Sequence, residues 1–179
     1  MRRYESGETT IHLVSPARPE ARADVVFIHG LGGHAETTWM HDEKKSDSYW
    51  PLWLSEDLPE TRVWSAEYPA SPATWLVSGG NSIPLQTVVF ALLDRLEQLD
   101  FGNRPIILIC HSLGGPVAKQ MVRAAAERTA DEAWKKIGSA VKGVVFISTP
   151  HAGASLANFL VTMAEMLLPR GILKTECIT

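Results

Sequence analysis

The stretch Ile106-Ile107-Leu108-Ile109-Cys110-His111-Ser112-Leu113-Gly114-Gly115 decides how this chain folds. Its first five residues form an unbroken apolar run, the signature of a strand covered on both faces. Residues 114–128 then read as a helix that starts directly after the turn. A serine held between a buried strand and a helix fits the nucleophile elbow, usually written G-x-S-x-G, which exposes Oγ at the top of a sheet. Strand and helix approach closely there, so the residues two before and two after the serine must be small. Gly114 meets that need. Cys110 stands where the first glycine is usual, a small residue but a departure from the motif. The competing reading is an ordinary strand–turn–helix with an incidental serine.

Working outward, strand and helix patterns alternate, which argues for an α/β fold with a mostly parallel sheet. Strands are expected over 9–14, 25–29, 62–68, 106–110 and 141–148, the last as a further buried strand. Helices are expected over 49–58, 85–99, 114–128 and 155–168. Leu85, Val88, Val89, Leu92, Leu93, Leu96 and Leu99 recur at helical spacing and define one apolar face. Residues 69–84 read as a long loop. Right-handed crossovers and one open sheet follow, with the site at the carboxyl ends of the strands.

The second chemical signal is Phe27-Ile28-His29-Gly30-Leu31-Gly32-Gly33, a glycine-rich turn after a strand. Acyl transfer develops negative charge on a carbonyl oxygen, and backbone N–H groups aimed at it lower the barrier; losing one donor costs about 3 kcal/mol. The candidate donors are the N–H groups of Leu31 and Leu113, with His29, Gly30, Gly32 and Gly114 shaping their surroundings. A phosphate-binding loop is the competing reading. It is weaker, because no lysine follows the glycines and no G-x-G-x-x-G is present.

The blocks VVFIHGLGGHAETTW (25–39), CHSLGG (110–115) and ISTPHAG (147–153) resemble the serine-active-site-containing protein and PGAP-one-like lipase/esterase group, in the group's usual order. The resemblance implies an α/β-hydrolase fold and a serine acyl hydrolase acting on carboxylic, often lipid, esters. It maps Ser112 to the nucleophile and Leu31 and Leu113 to the oxyanion hole. In this group the acid and the histidine base come later in the chain. No histidine follows His151 here, so the resemblance supplies no base. It suggests a hydrolase sheet lacking its C-terminal part and a chain with feeble turnover.

Among the histidines, His151 follows the strand expected beside Ser112 and is the in-chain candidate for the base. His111 reads as a packed core histidine, because neighbouring side chains on a strand point to opposite faces. His29 reads as a brace for its own loop, and His34 and His41 as solvated. Glu67, Asp94, Glu97 and Glu165 lack the placement expected of a triad acid. The 41–45 run reads as a solvated loop, without metal-ligand spacing. The tryptophans fit an acyl pocket or, more commonly, core packing.

A chain of 179 residues with 45% hydrophobic content has enough core for one domain, 1–179, with 155–179 as the start of a lid or covering helix. A formal net charge of −3 argues against nucleic-acid binding. Cys110 and Cys177 lack disulfide or metal spacing and read as free thiols. The polar N-terminus and short apolar runs point to a soluble, cytoplasmic protein. The expected partners are a small-molecule or lipid ester and, peripherally, a membrane surface, with no cofactor and no metal. The alternative is a non-catalytic hydrolase-fold module used for binding or signalling.

Overall fold

The computed structural model describes residues 9–14, 16, 18–71, 85–127 and 131–151. The expected helix over 155–168, the candidate lid over 155–179 and most of the loop over 69–84 lie outside them. The described chain runs β1 (Thr10–Leu13), β2 (Ala23–Ile28), two 3-10 turns (Thr37–Trp39 and Ser46–Ser48), α1 (Trp50–Asp57), β3 (Thr61–Glu67), α2 (Leu85–Gln98), β4 (Ile106–His111), α3 (Gly114–Glu127), α4 (Glu132–Ala140) and β5 (Val141–Ile147).

The five strands form one sheet in the order β1-β3-β2-β4-β5. β1 is antiparallel to β3, and the other pairs are parallel. β2 therefore sits at the centre, and the chain leaves it first toward β3 and returns to β4 on its other side. Right-handed crossovers in opposite directions put helices on opposite faces. They also leave a crevice where the carboxyl ends of β2 and β4 diverge, the usual site of chemistry in open α/β sheets.

The two faces follow the period-two alternation of β2. Val26 and Ile28 join Leu108 and Cys110 under α2, α3 and α4. Val25 and Phe27 face the other way, with Val63, Ile109 and Trp39, against Trp50 and Leu54 of α1. Phe27 meets Trp39 and Trp50 edge-on at centroid distances of 4.9 and 5.1 Å, a favoured aromatic geometry. Trp39, Trp64 and Trp134 are buried, whereas Trp53 is exposed.

At the opposite end of β2 from the crevice, Asp24 is buried. It accepts from Arg62 Nε at 2.6 Å and Nη2 at 3.0 Å, Trp64 Nε1 at 3.0 Å and Arg104 Nε at 3.3 Å. A buried carboxylate is tolerable only when its lone pairs are met in this way. The cluster ties β2, β3 and the approach to β4 together.

One expectation is corrected and one helix is added. The strand over 141–148 is not buried: β5 is an edge of the described sheet, and Val145 and Phe146 are exposed. An apolar run marks a strand able to be covered on both faces, but α1 covers the sheet only near β2 and β3. Helix α4 was not expected, because its buried face is just Trp134, Ile137 and Ala140. Its start is nevertheless marked, since Asp131 caps it by accepting the Trp134 N–H.

Candidate active site

Ser112 lies between β4 and α3 with φ 52°. A non-glycine residue in the left-handed region carries about 1–3 kcal/mol of strain and persists only when its surroundings hold it. Here the Ser112 N–H donates to Ile147 O at 2.9 Å. Its carbonyl accepts from the Gly115 N–H at 3.1 Å and from Thr149 Oγ1 at 3.2 Å. β5 and the turn after it thus grip the serine's backbone. The side chain is left out of this grip: Ser112 Oγ is buried and, among the described residues, has no hydrogen-bond partner.

The glycines around Ser112 are steric requirements. A Cβ on Gly114 would lie 2.2 Å from Ile28 O and 2.6 Å from His29 O, so α3 begins in direct contact with the end of β2. A Cβ on Gly115 would lie 2.2 Å from the Thr149 side chain. A Cβ on Gly30 would lie 2.7 Å from Ser112 Cβ and 3.0 Å from Ser112 Oγ. The two motifs, with Gly30 and Ser112 82 residues apart in sequence, are therefore in contact at the hydroxyl. Cys110, in place of the usual glycine, is fully buried, and burial pushes its thiol up to about 12.

The turn after β2 is fastened at several points. Gly32 adopts φ 67° and its N–H donates to Ala70 O at 2.6 Å; the Gly33 N–H donates to Gly30 O at 3.1 Å. Among the described residues, the Leu31 and Leu113 N–H groups donate to no backbone carbonyl. Both leucine side chains are buried, which anchors the backbone that carries those donors. The Leu113 N–H also sits at the start of α3, where the helix dipole favours an anion.

All six histidines of the sequence fall among the described residues, and none is hydrogen-bonded to Ser112 Oγ. His151 is exposed, Lys119 Nζ donates to its Nδ1 at 2.8 Å, and its ring meets Phe146 edge-on. His111 is half-buried against Trp39, and burial together with nearby His29 lowers its pKa. His29 is buried, places Nδ1 2.9 Å from Gly30 O and stacks on Tyr68 at 4.2 Å. His34 and His41 are exposed. His12 lies 2.8 Å from Thr10 Oγ1; burial lowers its pKa against the opposing pull of Glu67 and Glu36.

Glu67, which lacks triad-acid placement in the sequence, instead faces the glycine turn. It stands at the carboxyl end of β3, and that position is the signal that marks it. Its Oε2 accepts the Ala35 N–H at 2.8 Å. Its Oε1 lies 3.7 Å from His29 Nε2 and 3.6 Å from His34 Nδ1, ion-pair distances rather than hydrogen bonds. Burial pushes the carboxyl up, but His29, the Ala35 N–H and His34 outweigh it and hold Glu67 below its ordinary value. Tyr68 OH donates to His29 O. Among the described residues no three His, Cys, Asp or Glu side chains are grouped to hold a metal. No described helix is long and apolar enough to cross a membrane.

A central parallel strand, a strained serine after its neighbour and a glycine turn against the hydroxyl define an α/β-hydrolase architecture. Residues 25–175 match the model of the alpha/beta hydrolase family, and the chain belongs to that family. Human protein SERAC1 is 32% identical over 184 residues, covering 93% of this chain and 27% of its own length. The Danio rerio SERAC1 protein is 30% identical over 192 residues, covering 98% and 29%. The chain thus spans under a third of the length of these curated relatives. Among solved structures, a highly thermostable carboxyl esterase from Bacillus coagulans in complex with glycerol gives a TM-score of 0.43 at 16% identity. That match covers 88% of this chain and 44% of the esterase. An inhibited esterase B from Lactobacillus rhamnosis gives 0.40 at 17% identity, covering 89% and 54%.

Proposed function

We propose that this chain carries the nucleophile of a serine ester hydrolase, with Ser112 forming an acyl-enzyme on carboxylic, including lipid, esters. One observation carries the reading: the strained Ser112 places its Oγ against Gly30 of the glycine-rich turn. Ser112 Oγ would attack the ester carbonyl. The Leu31 and Leu113 N–H groups would receive the developing oxyanion, and the alcohol would leave with a proton. His151 is the in-chain candidate for the base. To serve, it must exchange its Lys119 contact for one to Ser112.

The second reading, a hydrolase-fold module used for binding, is favoured by a different observation: no histidine is hydrogen-bonded to Ser112 Oγ. A serine hydroxyl without a base is a weak nucleophile, although an oxyanion hole and binding alone retain about 10³-fold catalysis over water. Hydrolysis of p-nitrophenyl acetate by the purified chain separates the two. The hydrolase reading expects a slow rate that Ser112→Ala removes. A rate that Ser112→Ala leaves unchanged defeats it. A further loss in His151→Ala, with the fold intact, assigns His151 as the base.

A further inference from the structure

The turn that follows β2 is held mainly from the carboxyl end of β3, with Thr38 Oγ1 also accepting the His34 N–H at 2.9 Å. Ser65 Oγ donates to Ala35 O at 2.6 Å, Tyr68 OH donates to His29 O, and Ala70 O accepts the Gly32 N–H. Tyr49 OH adds a second bond to Ala35 O at 3.0 Å. Within this group Glu67 has a distinct position. One carboxylate oxygen faces His29, where the turn begins, and His34, near its end, while the other accepts the Ala35 N–H. Among the described residues it is the side chain that reaches both ends of the turn.

We propose that Glu67 is the positioning residue of the oxyanion turn, a carboxylate clamp that closes residues 29–35 into one shape and so holds the Leu31 N–H in place beside Ser112. It touches no reacting atom. Its catalytic consequence rests on the serine-hydrolase reading, but its structural consequence does not. A half-buried acceptor with full negative charge makes the stronger class of hydrogen bond to a backbone N–H. It also attracts whatever positive charge the two imidazoles carry. A neutral residue that keeps the same shape retains a hydrogen bond from the Ala35 N–H, of the weaker neutral class, and loses the attraction. An alanine retains neither.

Amide hydrogen exchange on the full chain tests the structural part. The informative amides are Gly32 and Gly33, whose acceptors are Ala70 O and Gly30 O rather than Glu67. In Glu67→Ala both should exchange at least about tenfold faster, the loss expected for one charge-assisted hydrogen bond, while Leu108 and Ile109 in β4 keep their protection. Glu67→Gln should recover part of the protection. Unchanged Gly32 and Gly33, or acceleration of these and β4 by one common factor, overturns the assignment, the latter by showing a merely global role. Where Ser112-dependent hydrolysis is measurable, Glu67→Ala should lower kcat about tenfold or more with KM nearly constant. A raised KM at constant kcat also overturns it. If hydrolysis is insensitive to Ser112→Ala, the hydrolase reading falls while the exchange result still decides the role of Glu67.

Discussion

Replacing Gly114 by alanine adds a single methyl group, yet the structure expects it to be among the most damaging small substitutions in this chain. The new Cβ would sit 2.2 Å from Ile28 O, 2.6 Å from His29 O and 2.9 Å from Ile28 C. All three are backbone atoms, so no side chain can rotate away. Relief requires α3 and the end of β2 to separate by about 1 Å, and both are packed on either side by core. Overpacking of this kind costs about 1–3 kcal/mol and sometimes more. With two rigid partners the upper end applies, offset by up to about 1 kcal/mol from the better helix propensity of alanine. A net loss of about 2–3 kcal/mol lowers Tm by roughly 4–12 °C in a chain of this size. The same separation moves His29 and Gly30 relative to Ser112, and a misplacement of about 1 Å at a reacting centre can cost about 100-fold in rate. Gly143→Ala is the internal control, because a Cβ there meets nothing within 4 Å; it should be neutral or stabilise by up to about 1 kcal/mol. Urea unfolding of both variants beside the parent measures the difference. If Gly114→Ala lies within about 0.5 kcal/mol of Gly143→Ala, the helix and strand are not in tight contact at Gly114.

Three further outcomes follow from other parts of the structure. Asp24→Ala strips the shared acceptor from Arg62, Arg104 and Trp64 and should cost about 3–5 kcal/mol in urea unfolding; a loss under about 1 kcal/mol would mean that the cluster is dispensable. In a Cys177→Ser background, Cys110 should stay unmodified by a thiol reagent at pH 8 until urea unfolds the chain, since it is fully buried and its pKa is pushed up to about 12; prompt native-state labelling would refute its burial. His111 and His12 have folded-state pKa values below 6.5, so the unfolded chain takes up protons first, and their contribution to stability is full above about pH 6.5 and declines as pH falls below it. His111→Gln should flatten that decline in unfolding free energy measured between pH 7 and 5, and an unaltered slope would assign the pH dependence elsewhere.

Much of this architecture was legible in the sequence because its signals are local. Apolar runs at 25–28 and 106–110 and the helical spacing of Leu85 to Leu96 reproduce β2, β4 and α2 to within a residue or two. The glycines at 30, 32 and 114 announced turns that only a residue without Cβ fits, and two of these glycines prove to be close contacts of strand, turn and helix. A short helix such as α4 escaped notice because two large apolar residues make too weak a period, although its Asp131 cap was readable.

What the sequence by itself determined is therefore the inventory: which segments are strands or helices, where the chain must turn tightly, and that a serine stands at one such turn. Tertiary structure alone decided what meets what. Strand order brought residue 30 against residue 112, put Glu67 between His29 and His34, turned His151 toward Lys119, and made β5 an edge of the described sheet. The physical reason is that periodicity records only whether a residue faces the core. The partner of a polar group depends on how crossovers stack distant strands, and the same alternation of strand and helix is compatible with several stackings.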